Sequence, residues 1–467
     1  MCLRNNPEFR RNTWTDFTLK NVIVLPILLL TVYFLAYTIS VDRSWSIMPK
    51  ISIVFYFIFT YIWGTRKTSE TVVKELNNNT WSFQVMTPMS PAQMAFGKLF
   101  GSTAYVWYGN LICIILYVVG VHLDAAKIRP ITNVQLAQNI AIFVLLGLVA
   151  HVMPLLISLH SIRWRHFFER FDLSFFQLTG FLAVIPLYFS VFSRFSKRSY
   201  MWYGDVYSLK LLVIIFSIIF LAWAFLSIVN QMKTEFGQEP YPFSWLLFII
   251  TLVAVLFGFN NYGHGNILVK YYGTILALFA TVSLTYITLA GESNMALRPH
   301  MVFKYYKTKQ YKRLFTIIPR TLVVLPVIIA LAMVLLFQFS TVDSDISTSF
   351  SFVIGAMILF MMRDFCLVYV WSLFSKGNEK ATTVIPVFLV LASYSIIPSV
   401  LHNMDLNVLT PIFMPYFYDN KEWTFNQSAM LTIIPPLVEF LIMFTILAVG
   451  IKRKKRQLEQ DKEYSIR

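Results

Sequence analysis

The sequence predicts an all-α, multi-pass membrane protein of about twelve transmembrane helices. Three observations predict it. Of the 467 residues, 57% are hydrophobic and only 13% are charged, where soluble domains carry about 25% charged residues. The mean hydropathy is +0.63. Apolar runs recur from end to end, and about 20 apolar residues suffice to cross the hydrocarbon.

Twelve runs read as spans: 21–40, 50–64, 97–120, 138–160, 174–193, 208–230, 243–260, 271–291, 320–340, 348–374, 382–401 and 428–451. The first twenty residues are polar, and the run that follows is of spanning length without a small-residue cleavage site. The first span is therefore expected to be retained rather than removed as a signal peptide. The second run is short and begins inside "RSWSIMPK". The tenth is long and holds "MMRDF", so the chain could leave the bilayer near Arg363 and continue as an interfacial helix, "FCLVYVWSLF". A weak boundary at "QMKTEFGQEPYP" (231–242) divides a six-helix region, 21–230, from a second, 231–467. "VLP" occurs at 24–26 and 324–326, an offset that fits no six-plus-six duplication.

The net charge of +16 would suggest nucleic acid in a soluble protein. Here it reads as topology, because cytoplasmic loops collect Lys and Arg, and no nucleic-acid partner is expected. With both termini inside, the cytoplasmic segments hold 28 of the 39 Lys and Arg residues. The largest contributions are the basic loop within 292–319, continued to Arg320, and the C-terminal "KRKKRQ". The opposite face carries the acidic "TVDSDIS" (341–347), with "RFSKRSY" (194–200) as the loop that runs against the bias.

Residues 62–102 are too polar to cross a bilayer and too patterned for a plain loop. Arg66, Glu70 and Lys74 recur at steps of four, which places alternating charges on one helical face. Val72, Val73 and Leu76 supply an apolar stripe. The second span is thus expected to run straight on as a polar helix until "NNN" (77–79) ends it, Asn being suited to caps and turns. Pro88 and Pro91 stop further helix. Ser90, Pro91 and Gln93 form an S-x-x-Q capping box with proline at the first helical position. The helix it opens, with Ala92, Ala95, Phe96, Leu99 and Phe100 on one face, is expected to lie along the interface before re-entering. Gly97 and Gly101 form a G-x-x-x-G that could admit a close helix neighbour.

The order Gly64-Thr65-Arg66, Glu70, Glu75, Trp81, Ser90-Pro91 and Gly97-Lys98 resembles the signature region of ABC-2 type transporter permeases, the membrane subunits of one class of ABC exporters. "NPEFRRNTWTDF" (6–17), within the elbow segment 1–20, resembles that family's amphipathic elbow helix. The likeness covers residues 6–120 and extends in topology to about 230. Residues 231–467 depart from the family's six spans and read as a diverged second permease half or an appended module. The resemblance implies a coupling segment, 65–98, that docks on a separate ATPase subunit carrying ATP and Mg. Its residues would be Arg66, Glu70, Lys74, Glu75, Trp81, Ser90, Pro91, Gln93 and Lys98. It further implies a bacterial cytoplasmic (inner) membrane, a homodimer or second permease as partner, and no catalysis or cofactor in this chain.

The chain's own motifs leave other functions open. There is no G-x-x-x-x-G-K-[ST] phosphate loop, since "GKLFGS" (97–102) has those letters in another order. Cys2, Cys113 and Cys366 are scattered, without metal or disulfide spacing. His151 and His160 are read near the ends of the fourth span, as capped or interfacial histidines rather than ligands. A lipid-modifying enzyme would need separated residues such as His300, Asp364 and His402 to converge. A secondary carrier would use intramembrane charge, which is costly in lipid and scarce here. Arg363 and Asp364 are neighbours on one helix and so are expected to face different partners. They line a pathway or, the favoured reading, mark an interface where Arg363 snorkels. Glu439 faces a cavity or pairs with a cation on another helix.

Overall fold

The computed structural model describes residues 6–39, 47–125, 132–162, 172–192, 199–241, 243–260, 270–291, 298–340, 345–374, 384–417 and 425–466. Chain contacts gather into two units. One is Met1–Tyr200 with Val206–Tyr241, and the other is Met201–Asp205 with Pro242–Arg467.

In the first unit α1 (Pro7–Asp16) begins at a designed start. Asn6 caps it by accepting from the Phe9 N–H at 3.1 Å, and proline holds the first position. The spans are α2 (Leu19–Ile39), α3 (Ile47–Asn77), α5 (Pro91–Leu123), α6 (Asn133–Ser161), α7 (Leu173–Phe192) and α8 (Leu209–Glu235). A five-residue helix, α4 (Trp81–Val85), lies between α3 and α5. As expected, α3 runs from span into polar helix without a break and stops at the asparagines. Asn78 caps it and Asn79 turns the chain with a φ of +58°, a conformation asparagine tolerates.

One difference from expectation follows from continuity and a second from close packing. The helix opened by Ser90 does not lie apart from the third span, because Pro91 to Leu123 is one helix. A π-helical turn, Gly97–Gly101, carries it through. A second π turn, Ile58–Gly64, sits inside α3. There the Thr60 carbonyl accepts from Nε2 of His151 at 3.1 Å. His151 is fully buried at mid-helix in α6, rather than interfacial near a span end. Gly64 is the reason it fits, since an added Cβ would lie 2.0 Å from His151 Nε2. His160 does lie in the last turn of α6, exposed.

A hairpin that the sequence reading missed joins α7 to α8. Its strands are β1 (Ser199–Trp202) and β2 (Asp205–Ser208). Tyr203 and Gly204 form the turn with φ of +52° and +86°, as two-residue hairpins require.

The second unit contains α9 (Ser244–Phe257), α10 (Tyr272–Gly291), α11 (Arg298–Lys307), α12 (Tyr311–Ile317), α13 (Arg320–Ser340), α14 (Asp345–Phe374), α15 (Val384–Asn403), α16 (Thr410–Phe413) and α17 (Phe425–Ile466). Tyr203 caps the end of α9, donating its N–H to the Gly258 carbonyl at 2.7 Å and its hydroxyl to the Ala254 carbonyl at 2.5 Å. The core of the unit is a layer of Val324, Ile328, Leu331, Ala332 and Leu335 from α13 against Ala277, Leu278 and Leu289 from α10 and Met361, Phe365 and Val368 from α14.

Among the described residues, eleven helices are long and apolar enough to cross a membrane. The seventh expected span, 243–260, is the one not among them: it appears as the 14-residue α9, which rises only about 21 Å. The tenth span also differs. Asp345–Phe374 is a single 30-residue helix with no break at Arg363, so "FCLVYVWSLF" continues the span rather than forming a separate interfacial helix. Outward faces are apolar, as at Leu28, Leu30 and Phe34 on α2 and Leu441 and Phe444 on α17. That is the reverse of a soluble protein and suits a hydrocarbon surround.

The Gly64 contact is testable. Gly64→Ala is expected to destabilise the purified protein by about 1–3 kcal/mol through overpacking, read as a lower Tm in detergent. Adding His151→Ala should recover much of that loss, and independent effects of the two changes would contradict the contact.

Candidate functional site

The polar chemistry of the first unit converges on Lys98. The capping box forms as the spacing requires: Ser90 Oγ accepts from the Gln93 N–H at 3.3 Å, and Gln93 Oε1 accepts from the Ser90 N–H at 3.0 Å. With Pro91 it fixes where α5 starts. The Gln93 carbonyl then accepts from Asn6 Nδ2 at 2.8 Å, so the residue that closes the box also seats α1. One turn on, α1 lies against the glycine face. A Cβ on Gly97 would stand 2.7 Å from Glu8 Cβ, and one on Gly101 3.0 Å from Phe9 Cα. The G-x-x-x-G thus admits a close neighbour, and that neighbour is α1.

Between these glycines Lys98 turns inward and is wholly buried. Its ammonium donates to Glu75 Oε2 at 2.7 Å, Glu8 Oε1 at 3.2 Å and the Thr71 carbonyl at 3.2 Å. A lysine has three donors, and all three are used. Arg11 closes the outer side, with Nη2 at 2.8 Å from Glu8 Oε1 and 2.9 Å from Glu75 Oε1. Two carboxylates meet two cations, so the cluster is electrically balanced. The Trp81 ring centroid is 5.6 Å from the ammonium, within cation–π range. Lys67 adds a pair to Asp16 at 2.9 Å.

Below the cluster, Val72, Leu76, Trp81, Met94, Ala95 and Leu99 share one apolar core with Val152, Leu155 and Leu159 of α6 and Ile228 and Met232 of α8. The ends of α3 and α5 are therefore fixed to the long spans as well as to α1. Of the residues expected to act together, Glu75, Trp81 and Lys98 do meet. Ser90, Pro91 and Gln93 build the helix that presents Lys98. Arg66, Glu70 and Lys74 do not join them. They form an outward ladder, with contacts of 3.3 Å and 2.9 Å to Glu70. Sequence reasoning missed Asn6, Glu8 and Arg11 as site residues. Asn6-Pro7 as a cap and Glu8 three before Arg11 were the available signals.

At the far side, α4 buries Trp81 and exposes Phe83, at 69%, with Met86 beside its end at 80%. Two large apolar side chains thus stand free at the tip of a segment that is otherwise firmly held.

The second unit has its own buried charge network. Asp364 of α14 is buried, and its two oxygens accept from four donors. Arg363 reaches Oδ1 with Nη2 at 2.8 Å and Nε at 3.0 Å. Tyr286 of α10 and Tyr394 of α15 donate to Oδ2 at 2.6 Å and 2.5 Å. Nη1 of Arg363 pairs with Glu439 of α17. The expectation that Arg363 and Asp364 face different partners is corrected. A long guanidinium folds back onto its neighbour's carboxylate, and both then share partners on other helices. Arg363 is mostly buried, with its guanidinium 4.6 Å from the Phe360 ring centroid, which corrects the snorkelling reading. Glu439 does pair with a cation on another helix.

The three groups that a lipid-modifying enzyme would need are not seen together. Asp364 is engaged as described, His402 Nδ1 meets Asn407 Oδ1 at 3.0 Å, and the His300 side chain lies outside the described residues. Among the described residues no three of His, Cys, Asp and Glu converge as a metal would need.

No family model, curated protein or solved structure matches the chain.

Two stability tests follow from these geometries. Lys98→Met strips the buried Glu8 and the partly buried Glu75 of their shared cation and should cost about 3–5 kcal/mol. Arg66→Ala, on the exposed ladder, should stay within about 0.5 kcal/mol. Thermal unfolding in detergent compares the two, and equal Tm values would contradict the cluster's weight. Tyr394→Phe removes a bond to a buried carboxylate and should cost about 1.5–3 kcal/mol in the same assay.

Proposed function

We propose that this chain is the membrane-spanning permease of an ATP-driven exporter of the ABC-2 type, acting with a separate ATPase subunit that carries ATP and Mg. The observation that supports this reading is the Lys98 cluster. It ties the N-terminal helix, the end of the second span and the start of the third into one piece, and that piece carries exposed apolar side chains at its tip. A segment built so can pass a push from a partner to three spans at once, because a packed element moves as a unit rather than deforming. In this reading α1 is the elbow, α4 with Phe83 and Met86 is the part that enters the ATPase, and the ladder of Arg66, Glu70 and Lys74 borders the contact. The N-terminus then lies on the ATPase side, the cytoplasmic face of a bacterial inner membrane. A second copy or second permease completes the complex, and the chain itself performs no hydrolysis.

Interfaces concentrate their energy in a few large buried side chains. Phe83→Ala with Met86→Ala is therefore expected to reduce co-purified ATPase by about tenfold or more, each lost anchor being worth on the order of 2 kcal/mol. Both side chains are exposed, so the Tm of the permease alone should not move. ATPase recovered at the wild-type ratio, with ATP-driven transport unchanged, would falsify the docking role of α4.

A further inference from the structure

The stretch from Arg298 to Arg320 holds seven Lys and Arg residues and no carboxylate. It folds as α11 and α12, joined at Thr308–Gln310, where Lys309 takes a φ of +55°. Lys304, Lys307, Lys309 and Arg313 are exposed, and so are Met301, Tyr306 and Tyr311. Lys304, Lys307 and Lys309 make no ion pair among the described residues. Leu314 and Pro319 are buried, so the surface is anchored rather than free. Only Ile318 and Pro319 separate α12 from the span α13, and α10 ends at Gly291. Connectivity thus holds this surface at the end of two spans.

Exposed ammonium groups with no counter-charge from the chain leave a positive surface that attracts negative charge from outside it. The C-terminal basic run differs, because Glu459, Asp461 and Glu463 follow it in the same helix. Tyrosine and methionine exposed among lysines suit the boundary between headgroups and acyl chains, where amphipathic rings concentrate. A basic cluster beside a span attracts anionic lipid at about 1 kcal/mol per charge.

We propose that α11 and α12 form a binding surface for anionic lipid headgroups. Lys304, Lys307, Lys309 and Arg313 take the lipid phosphates, and Met301, Tyr306 and Tyr311 enter the boundary beneath them. The inference is independent of the ATPase reading, since it uses neither α4 nor the Lys98 cluster.

The test uses the full-length chain, exchanged into micelles with equal phosphatidylglycerol and phosphatidylcholine, with bound lipid counted by native mass spectrometry. Wild type should retain phosphatidylglycerol over phosphatidylcholine by about tenfold or more. K304Q/K307Q/K309Q/R313Q should bring the ratio near one, while K304R/K307R/K309R keeps it. About 0.5 M NaCl should weaken it, because exposed charges are screened. If the glutamine variant does not fold, the salt arm decides: a preference unchanged by salt overturns the proposal. So does the absence of any preference in wild type, or its persistence in a folded glutamine variant. Displacement of phosphatidylglycerol by inorganic phosphate would identify a free-phosphate site and likewise sink the lipid surface.

Discussion

The buried ammonium of Lys98 is the constraint on which the polar part of the first unit depends. Taking a charge out of water costs several kcal/mol unless partners replace the water. Here three partners come from two different segments: Glu8 from α1, and Thr71 and Glu75 from α3. None of the three can shift without exposing or stranding a charge. The features nearby serve that geometry. The capping box sets the start of α5, the π turn carries the helix through Gly97–Gly101, and the two glycines let α1 approach. A larger residue at either glycine would hold Glu8 away from its cation.

The two units solve the same problem with different chemistry. Lysine is a compact point charge and suits a cage of separate oxygens. Arginine is a planar fork, and Arg363 spreads its donors over Asp364, Glu439 and Tyr394. Tyrosine hydroxyls complete the second network, so Asp364 has four donors where a carboxylate in an apolar interior needs them. Each network joins elements distant in sequence, and each sits among apolar layers that hold its members in place. Buried charge in this chain is thus a device for specifying which helices meet.

Against these fixed centres, the exposed features differ in character. Phe83 and Met86 are apolar side chains at the tip of a polar segment, whereas the α11–α12 surface is cationic and anchored beside a span. Exposed leucines on α2 and α17 need only lipid tails. Phe83 and Met86 follow a polar helix and carry no such explanation, which is why they bear the functional reading.

Much of this was legible in the sequence. Apolar runs gave the spans, because helix length in a bilayer is set by hydrocarbon thickness. Local rules gave the continuation of the second span, its end at the asparagines, the i, i+4 ladder through Glu70 and the capping box at Ser90, since each involves residues within one or two turns. The brevity of α9 was not legible, because hydropathy counts apolar residues without saying which of them are helical. Nor was the burial of His151, which depends on Gly64 of another helix. Only the tertiary structure decided that Lys98 meets Glu8, 90 residues away, and that Arg363 turns back on Asp364 while reaching Glu439. A charged side chain does not announce its partner. The partner is chosen by which helices approach closely enough to exclude water, and that choice is made by shape at glycines and apolar layers before any charge is paired.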